Sequence, residues 1–328
     1  MVSMSTYPLW NQYPELKEAL IETTNLIEKT LFVRNKAVNQ AMKEIFKAHG
    51  KMIRPAYCLL FSSLGNQSEP ARARHLAASI ELFHNATLLH DDIIDDGKIR
   101  RGLPTVQSVY GKKAAVYAGD YLISACFKMT LPYSQQLDTQ GLLTRAMEQV
   151  IKGELQQLSN SYNPNVSFRQ YLTQIKGKTA ELFAISCLSG AQEGGLNKQN
   201  QQLSFRIGLQ IGMAFQLLDD LLEYTQSEEE WGKSLLQDLS NGIYTAPVIL
   251  SKEKAADFFA DMLKQEEWSK DEADSVRQIL VEAGGIDKTR QLAERYTRKA
   301  LKLISQLPSG EPRNQIEQLT RALLQRKS

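Results

Sequence analysis

Two long apolar stretches of this sequence have helical spacing, and each ends in a cluster of carboxylates. The first stretch covers residues 76–89 and is apolar over more than one helical face, which predicts an interior helix. The second covers residues 207–218 and is again an apolar helical run. Helical periodicity also dominates the rest of the chain, so the sequence predicts an all-α fold.

The breaks between helical segments carry glycine, asparagine or proline, and none is a long flexible linker. We therefore expect one domain over residues 1–328, folded as a deep helical bundle. The expected helices lie near residues 14–30, 35–48, 55–64, 69–96, 105–116, 119–130, 139–160, 168–190, 199–226 and 241–263, with more towards the C-terminus.

The first carboxylate cluster is Asp91, Asp92, Asp95 and Asp96. Asp91 and Asp95 share a helical face, roughly 6 Å apart along the axis. Such crowded carboxylates repel one another unless a cation compensates, and their hard oxygen atoms suit magnesium better than zinc. For this cluster alone, a solvated acidic helix end is an equally good interpretation.

The second cluster, Asp219, Asp220 and Glu223, repeats the pattern of two adjacent acids followed by a third one turn later. Two such clusters, each at the end of an apolar helix, could face each other across a cavity. Paired magnesium-binding carboxylates without an obvious nucleophile indicate phosphate or diphosphate chemistry. A metal–diphosphate site is therefore favoured over two solvated helix ends.

Composition narrows the class of protein. The chain has 328 residues, of which 42% are hydrophobic and 23% charged, and its net charge of +2 gives no electrostatic case for nucleic acid binding. Cys58, Cys126 and Cys187 have neither disulfide nor zinc spacing and are expected in the core, in a reducing compartment. Residues 1–16 show no signal peptide, and no apolar run approaches the roughly 18–20 residues of a membrane span, so we expect a cytoplasmic protein.

Several basic residues accompany the clusters. Lys51 and Arg54 follow Gly50 and precede a helix, where cations bind phosphate well, although a solvated basic turn is the more common reading of such a pattern. Arg100 and Arg101 either neutralise the first cluster or hold a diphosphate. Four further residues are weak signals on their own: His84, seven residues before the first cluster, Lys178, Thr179 and Lys233.

Together these stretches resemble the trans-isoprenyl diphosphate synthases, in the family's order, from residue 50 to residue 247. The matching motifs are Gly50-Lys51-x-x-Arg54-Pro55, Leu89-His90-Asp91-Asp92-x-x-Asp95 with Arg100-Arg101-Gly102-x-Pro104-Thr105, Lys178-Thr179, Phe215-Gln216-x-x-Asp219-Asp220, Gly232-Lys233 and Asp238-Leu239-x-x-Gly242-x-x-Thr245-x-Pro247. The segment around residues 227–230 is most similar to the catalytic subunit of the bacterial heptaprenyl type.

The resemblance implies an isoprenoid synthase bundle around a deep central cavity and a head-to-tail prenyl transfer. Three magnesium ions would lie on Asp91, Asp95 and Asp219, with Asp92, Asp220 and Glu223 in the same metal-binding clusters. The allylic diphosphate would be bound by Arg100, Lys178, Thr179, Gln216 and Lys233. Isopentenyl diphosphate would be bound by Gly50, Lys51, Arg54, His84 and Arg101. The released diphosphate would take the final proton, which agrees with the lack of a nucleophile–base pair.

The chain departs from the family's pattern at several positions. Glu223 stands in place of a third aspartate, Met52 in place of an arginine, and His49 in place of a glycine. Leu236, Gln237 and Ala246 are further departures near the second cluster. They affect the geometry of the second metal site and of the isopentenyl loop, but every expected diphosphate contact is present.

Product length is predicted from residues before Asp91. Ala86, five residues earlier, and Thr87 are small, so a tunnel for the growing chain would stay open past them, and Phe83 would form a later floor. We expect a medium- or long-chain all-trans product made from farnesyl or geranylgeranyl diphosphate. A short-chain synthase and an isoprenoid-binding partner without activity of its own are the alternatives. The resemblance also implies a homodimer, with a separate small subunit in some relatives.

Two other helical classes fit less well. A class I terpene cyclase shares the first acidic motif but usually lacks the Lys51/Arg54 loop, and its second metal motif differs from Asp219-Asp220. A di-iron bundle needs two Glu-x-x-His motifs, and only Glu81-x-x-His84 is present.

Overall fold

The structure is a computed structural model that describes residues 7–31, 50–100, 102–134, 138–226, 236–255 and 269–324. Within these ranges the protein is almost entirely helical. The α-helices are α1 (Pro14–Thr30), α2 (Ile53–Ser62), α3 (Pro70–Ile94), α4 (Val106–Tyr110), α5 (Lys112–Thr130), α6 (Thr139–Asn160), α7 (Phe168–Ile175), α8 (Glu181–Glu193), α9 (Lys198–Thr225), α10 (Gln237–Ser240), α11 (Ala246–Ser251), α12 (Lys270–Glu282), α13 (Gly285–Ile304) and α14 (Glu311–Leu324).

Shorter elements complete the fold. Two 3₁₀ helices cover Pro8–Gln12 and Leu131–Tyr133, and a π-helical turn covers Lys176–Ala180 between α7 and α8. The strands β1 (Ile99–Arg100) and β2 (Leu103–Pro104) form an antiparallel hairpin directly after α3. These strands are the only ones in the described ranges.

The chain divides into two compact units, and unit 1 comprises Met1–Arg145, Ile185–Phe205 and Pro308–Ile316. Its centre is α3, which packs against α1, α2 and α5. At the contact with α5, Gly119 lies directly against the imidazole of His90, where a Cβ atom would clash. At the other end of α3, the buried carboxylate of Glu193 accepts hydrogen bonds from the Glu69 backbone and from Arg72. These contacts fix the direction of α3, which carries the first carboxylate cluster.

Unit 2 comprises Ala146–Ala184, Arg206–Leu307 and Glu317–Ser328. One of its apolar clusters joins the end of α9 to α10, α11 and α12, through Leu221, Leu239 and Val276 among others. A second cluster joins α7 to α9 and α13, through Tyr171, Leu217 and Ala293 among others. Helix α9, with the second carboxylate cluster near its end, is therefore held on two sides.

The all-α prediction is confirmed, and five expected helices begin and end within two residues of their observed bounds: 14–30, 55–64, 69–96, 139–160 and 199–226. The helix expected over 168–190 contains a π-helical turn and ends three residues later, at Glu193. The sequence predicted a helix break near residue 117, and this prediction was wrong. The chain breaks instead at Gly111, which has φ +84° and separates α4 from α5. The helix expected over 241–263 was wrong at its start, because Gly242 has φ +68° and the helix begins only at Ala246, with Pro247 in its first turn. This helix ends at Ser251, and residues 256–263 lie outside the described part of the chain. The helix expected over 35–48 lies outside the described residues.

Cys58, Cys126 and Cys187 are buried and unbridged, as expected for core residues. No described helix is long and apolar enough to cross a membrane. A single domain over residues 1–328 and a deep central cavity stay predictions.

Candidate active site

The two aspartates that open the first cluster have different environments in unit 1. Asp92 is buried, and its Oδ1 accepts a hydrogen bond of 2.6 Å from Nε of Arg100 and forms an ion pair of 2.6 Å with Nη2 of the same residue. Asp91 is half-buried, and Asp95 is exposed at the end of α3. A buried carboxylate needs such a partner, because an unpaired buried charge is costly. The sequence predicted that Arg100 lies near the first cluster, and the structure shows that its partner there is Asp92.

The segment after α3 is fixed by hydrogen bonds to a single carbonyl group. Gly97 O accepts hydrogen bonds from Thr105 Oγ1 at 2.7 Å and from Gln107 Nε2 at 2.8 Å. The β1–β2 hairpin lies between these residues and presents Arg100 to Asp92. At the surface nearby, a hydrogen bond from Lys112 lowers the pKa of Asp96. Asp96 is thus paired with Lys112, away from Asp91.

The basic turn of unit 1 also has a defined conformation. Met52 adopts a left-handed backbone conformation (φ 51°) immediately before α2. Lys51 is exposed, and its ammonium nitrogen lies 5.4 Å from the centre of the Tyr7 ring. Arg54 Nη1 and His84 Nε2 are 3.1 Å apart, so the structure brings together two of the residues expected to bind isopentenyl diphosphate.

In unit 2, Lys178 and Thr179 lie in the π-helical turn. π-turns inside α-helices are frequent at functional sites. Gly153 of α6 and Gly177 of the turn allow the two backbones to approach closely, since a Cβ atom on either residue would clash with the other segment. Lys178 Nζ lies 2.9 Å from Glu154 Oε2, and both side chains are about one-quarter exposed. The turn thus presents Lys178 at the surface of unit 2, paired with an acid that the sequence analysis missed.

A hydrogen-bond network joins this turn to the second cluster. Thr179 Oγ1 donates to Gln216 Oε1 at 2.7 Å, and Gln216 Nε2 donates to Asp220 Oδ1 at 2.9 Å. The other carboxylate oxygen of Asp220 accepts hydrogen bonds from the Tyr171 hydroxyl and from the backbone N–H of Ala246. The network orients the Gln216 amide, with its carbonyl oxygen towards Thr179 and its nitrogen towards Asp220.

Asp220 is fully enclosed, and burial raises the pKa of its carboxyl group to about 7. The hydrogen bonds from Tyr171 and Gln216 act in the opposite direction, because they favour the ionised carboxylate. Burial together with the neighbouring carboxylate raises the pKa of Tyr171 well above its usual value, so this hydroxyl remains a proton donor. Tyr171 was not identified from the sequence.

Glu223, the third acid of the second cluster, is also buried. Its Oε1 accepts a hydrogen bond of 2.9 Å from the backbone N–H of Asp238. Asp220 and Glu223 therefore connect α9 to the segment from Asp238 to Ala246. Asp219 is half-buried and lies on neither of these connections.

Magnesium fits this set of donors. Among the described residues, no three His, Cys, Asp or Glu side chains are already grouped as a metal site. Magnesium, however, is usually bound by one or two carboxylates together with water and substrate phosphates. Asp91, Asp95 and Asp219 are the oxygen donors with accessible surface. Direct coordination by Asp92, Asp220 and Glu223 stays a prediction, and their contacts within the protein already engage several of their oxygen atoms.

Some predicted site residues lie outside the described part of the chain. These are Arg101 and Lys233, together with His49 among the departures. Gln237, another departure, begins α10, and Leu236 before it has a positive φ of 51° and is fully buried. Phe83 and Ala86 are buried, whereas Thr87 is half-buried.

The first carboxylate cluster is paired with Arg100, and Gln216 and Thr179 join the second cluster to the turn that carries Lys178. In an all-α fold, this arrangement of acids and cations is typical of proteins that bind diphosphates. A family model for polyprenyl synthetases matches residues 35–280, and the chain belongs to this family of trans-prenyltransferases. It is 32% identical over 309 residues to heptaprenyl diphosphate synthase component 2 of Geobacillus stearothermophilus, which covers 94% of this chain and 95% of that protein.

Solved structures confirm the fold of the family. The crystal structure of geranylgeranyl pyrophosphate synthase from Lactobacillus brevis has a TM-score of 0.91 and 37% identity, and covers 97% of this chain and 99% of the other. Heptaprenyl diphosphate synthase from Staphylococcus aureus has a TM-score of 0.89 and 30% identity, over 95% of this chain and 99% of the other. These relatives differ in the product that their names give.

Proposed function

We propose that this prenyltransferase condenses an allylic diphosphate, farnesyl or geranylgeranyl diphosphate, with successive isopentenyl diphosphates to give a medium- or long-chain all-trans polyprenyl diphosphate. The observation that carries the proposal is shared by both clusters. In each adjacent pair, the second acid is buried and held by protein donors, and the first keeps accessible surface. Asp91 and Asp219 are therefore the acids that can reach a metal ion on a substrate.

The reaction begins with ionisation of the allylic C–O bond. Bound magnesium, on Asp91, Asp95 and Asp219, would offset the negative charge that develops on the departing diphosphate. Arg100, Lys178, Thr179, Gln216 and Lys233 bind the same diphosphate. Arg100 is paired with Asp92, and Lys178 is paired with Glu154. Because they touch the leaving group, we assign a catalytic role to Asp91, Asp95, Asp219, Arg100 and Lys178.

The second substrate is held by unit 1. Lys51 and Arg54, with Arg101, supply the cations for isopentenyl diphosphate, and His84 supports Arg54 at 3.1 Å. The isopentenyl double bond attacks the allylic carbocation, and the released diphosphate accepts the proton that is then lost. The protein's own part is to position both substrates and to exclude water from the cation.

Product length depends on the face of α3 that carries Asp91. Thr87 is one turn before Asp91 on this face, and it keeps accessible surface. Ala86 and Phe83 instead share a face with His90, which packs against Gly119 of α5. We propose that the growing chain passes Thr87, with Ala86 and Phe83 as the wall behind it.

An apolar stripe on α6 supports a homodimer. Ile151, Leu155 and Leu158 lie on one face of the helix and are 53%, 57% and 67% exposed. Contiguous apolar side chains at a surface mark interaction sites, and a two-fold dimer buries the same patch of both copies. The word "component" in the name of the Geobacillus relative supports a separate small subunit as a further partner.

The proposal also covers the domain organisation of the chain and its location in the cell. The match to solved structures over 97% of the chain supports one polyprenyl synthase domain over residues 1–328. The three buried thiols without disulfides support a reducing, cytoplasmic environment.

A product assay tests the proposal. The purified chain is given magnesium, farnesyl diphosphate and labelled isopentenyl diphosphate, and the products are separated by length. Discrete products longer than geranylgeranyl diphosphate are expected. A product that stops at geranylgeranyl diphosphate would support the short-chain alternative, which the 37% identity to the Lactobacillus synthase favours. Substrate binding without turnover would instead indicate a subunit that needs its partner.

A further inference from the structure

The N-terminal aromatic segment, Tyr7–Tyr13, packs onto the basic turn that precedes α2. This segment contains the 3₁₀ helix Pro8–Gln12 and lies before residue 35, where the match to the family model begins. Tyr7, Trp10 and Tyr13 form consecutive edge-to-face ring pairs, with centroids 6.3 Å and 6.4 Å apart. The segment thus forms an aromatic cluster.

Trp10 is the anchor of this cluster. Its side chain is 1% exposed, and the indole Nε1–H donates a hydrogen bond of 3.1 Å to the backbone carbonyl of Lys51. The bond joins residues that are 41 positions apart in the sequence. It therefore fixes the peptide group on the C-terminal side of Lys51 against a buried side chain.

This peptide group precedes an unfavourable backbone conformation. Met52 has φ 51°, in the left-handed region, which costs free energy for a residue with a side chain unless its surroundings hold it. Trp10 supplies such a constraint, because the carbonyl that it binds belongs to the peptide linking Lys51 to Met52. The conformation in turn sets the direction in which the Lys51 side chain leaves the turn.

Tyr7 contacts the ammonium end of the Lys51 side chain. The Lys51 ammonium nitrogen lies 5.4 Å from the centre of the Tyr7 ring, within the range of a cation–π interaction. An ammonium group has three hydrogen-bond donors. A ring on one side of the ammonium group therefore restricts the direction in which these donors point.

We propose that Trp10 and Tyr7 are positioning residues for isopentenyl diphosphate: they hold the Lys51–Met52 turn and the Lys51 ammonium in the conformation that binds this substrate. The inference rests on the proposed function, in which Lys51 binds isopentenyl diphosphate. Without these contacts the binding conformation is populated for only part of the time, and the apparent affinity falls by that fraction. The allylic diphosphate, which other residues bind, is not affected.

The test compares variants of the full chain. Trp10→Phe keeps a buried ring but removes the indole N–H, and Tyr7→Leu removes the ring face. We expect the KM for isopentenyl diphosphate to rise by about two- to tenfold in Trp10→Phe and by about two- to fivefold in Tyr7→Leu. The KM for farnesyl diphosphate and kcat should stay within twofold of the wild type. Tyr7→Phe, which keeps the ring, and Tyr13→Phe, which removes a hydroxyl from the same cluster, are the matched controls.

A binding measurement separates this inference from the proposed function. Equilibrium dialysis with labelled isopentenyl diphosphate needs no turnover, so it works even if the wild type makes no product. A weaker Kd in Trp10→Phe and Tyr7→Leu, with both controls like the wild type, supports the inference. Equal Kd values in all variants would overturn the inference alone, whereas a wild type that does not bind isopentenyl diphosphate would overturn the proposed function together with the inference. Because Tyr7 is only half-buried, Tyr7→Leu gives a result even if Trp10→Phe does not fold.

Discussion

Arg100 contacts one carboxylate oxygen of Asp92, the buried acid beside Asp91, through a hydrogen bond from Nε and an ion pair with Nη2, each at 2.6 Å. The acids of the first cluster therefore have two different roles. Asp92 neutralises and orients the guanidinium, whereas Asp91 and Asp95, the proposed metal ligands, keep accessible surface. The second cluster repeats this division, with Asp220 held by the protein and Asp219 accessible.

Replacing Asp92 should affect stability and Arg100 together. Asp92→Asn keeps the shape of the side chain but removes the charge that pairs with Arg100. Since the Arg100 side chain is one-third exposed, solvent screens the pair, and we expect a loss of about 1 kcal/mol in the free energy of unfolding. Urea unfolding measures this loss. Asp96→Asn, at an exposed acid paired with Lys112, is the control and should leave the unfolding free energy unchanged. Equal values for both variants would contradict the structural role of Asp92.

Tyr171→Phe should show the importance of the buried network. The variant leaves Asp220 without its hydroxyl donor, and a buried acceptor that loses a partner costs about 1–3 kcal/mol. The KM for the allylic diphosphate should also rise, because Gln216 loses part of its support. Tyr162→Phe removes a hydroxyl hydrogen bond to Ser240 at an exposed site and serves as the control. Thermal unfolding and steady-state kinetics give the two readouts, and a Tyr171→Phe protein identical to Tyr162→Phe in both would refute the role.

Glu154 should oppose binding of the allylic diphosphate to Lys178. Its carboxylate is 2.9 Å from the ammonium group, and this pair must loosen when a diphosphate takes the cation. Because both side chains are partly exposed, the pair is worth less than about 1 kcal/mol, so Glu154→Gln should tighten binding by no more than about fivefold. Lys178→Gln should weaken binding by at least about tenfold, since a charged hydrogen bond is lost. Calorimetry with an unreactive allylic thiodiphosphate measures both, and weaker binding by Glu154→Gln would contradict this account.

Replacing Thr87 should change the length of the prenyl product with less effect on protein stability than replacing Ala86. Thr87→Phe places a ring on the face of α3 that carries Asp91, so the longest product should shorten by one or more isoprene units. Ala86 has no exposed surface, and a phenylalanine there must displace its neighbours, which costs about 1–3 kcal/mol of stability. Product separation and thermal unfolding distinguish the two effects. An unchanged product from Thr87→Phe would remove Thr87 from the tunnel.

The three thiols should resist modification in the native protein. Burial raises the pKa of Cys126 to about 12 and raises that of Cys58 and Cys187 as well. A raised pKa keeps the unreactive thiol form at pH 8, and burial blocks the reagent. A thiol-reactive chromophore should label none of the three in buffer and all three in urea. Rapid labelling of the native chain would show that one of these sites opens.

The helices could be predicted because their apolar residues repeat every three to four positions, and the loop glycines marked most of their ends. The acids of the site could be predicted because their crowding is visible within a few residues of sequence. Their division into held and accessible acids could not, since it depends on tertiary contacts. Tyr171 reaches Asp220 across 49 residues, and Trp10 reaches Lys51 across 41. No local pattern encodes such contacts.

The most direct test of the account measures incorporation of labelled isopentenyl diphosphate into prenyl product by the purified wild type, Asp91→Asn and Asp219→Asn. The account predicts product from the wild type in magnesium, none after chelation, and a fall of at least about a hundredfold in kcat for each variant, as for the loss of a major stabiliser of transition-state charge. Product formation in excess chelator, or wild-type rates in either variant, would contradict it.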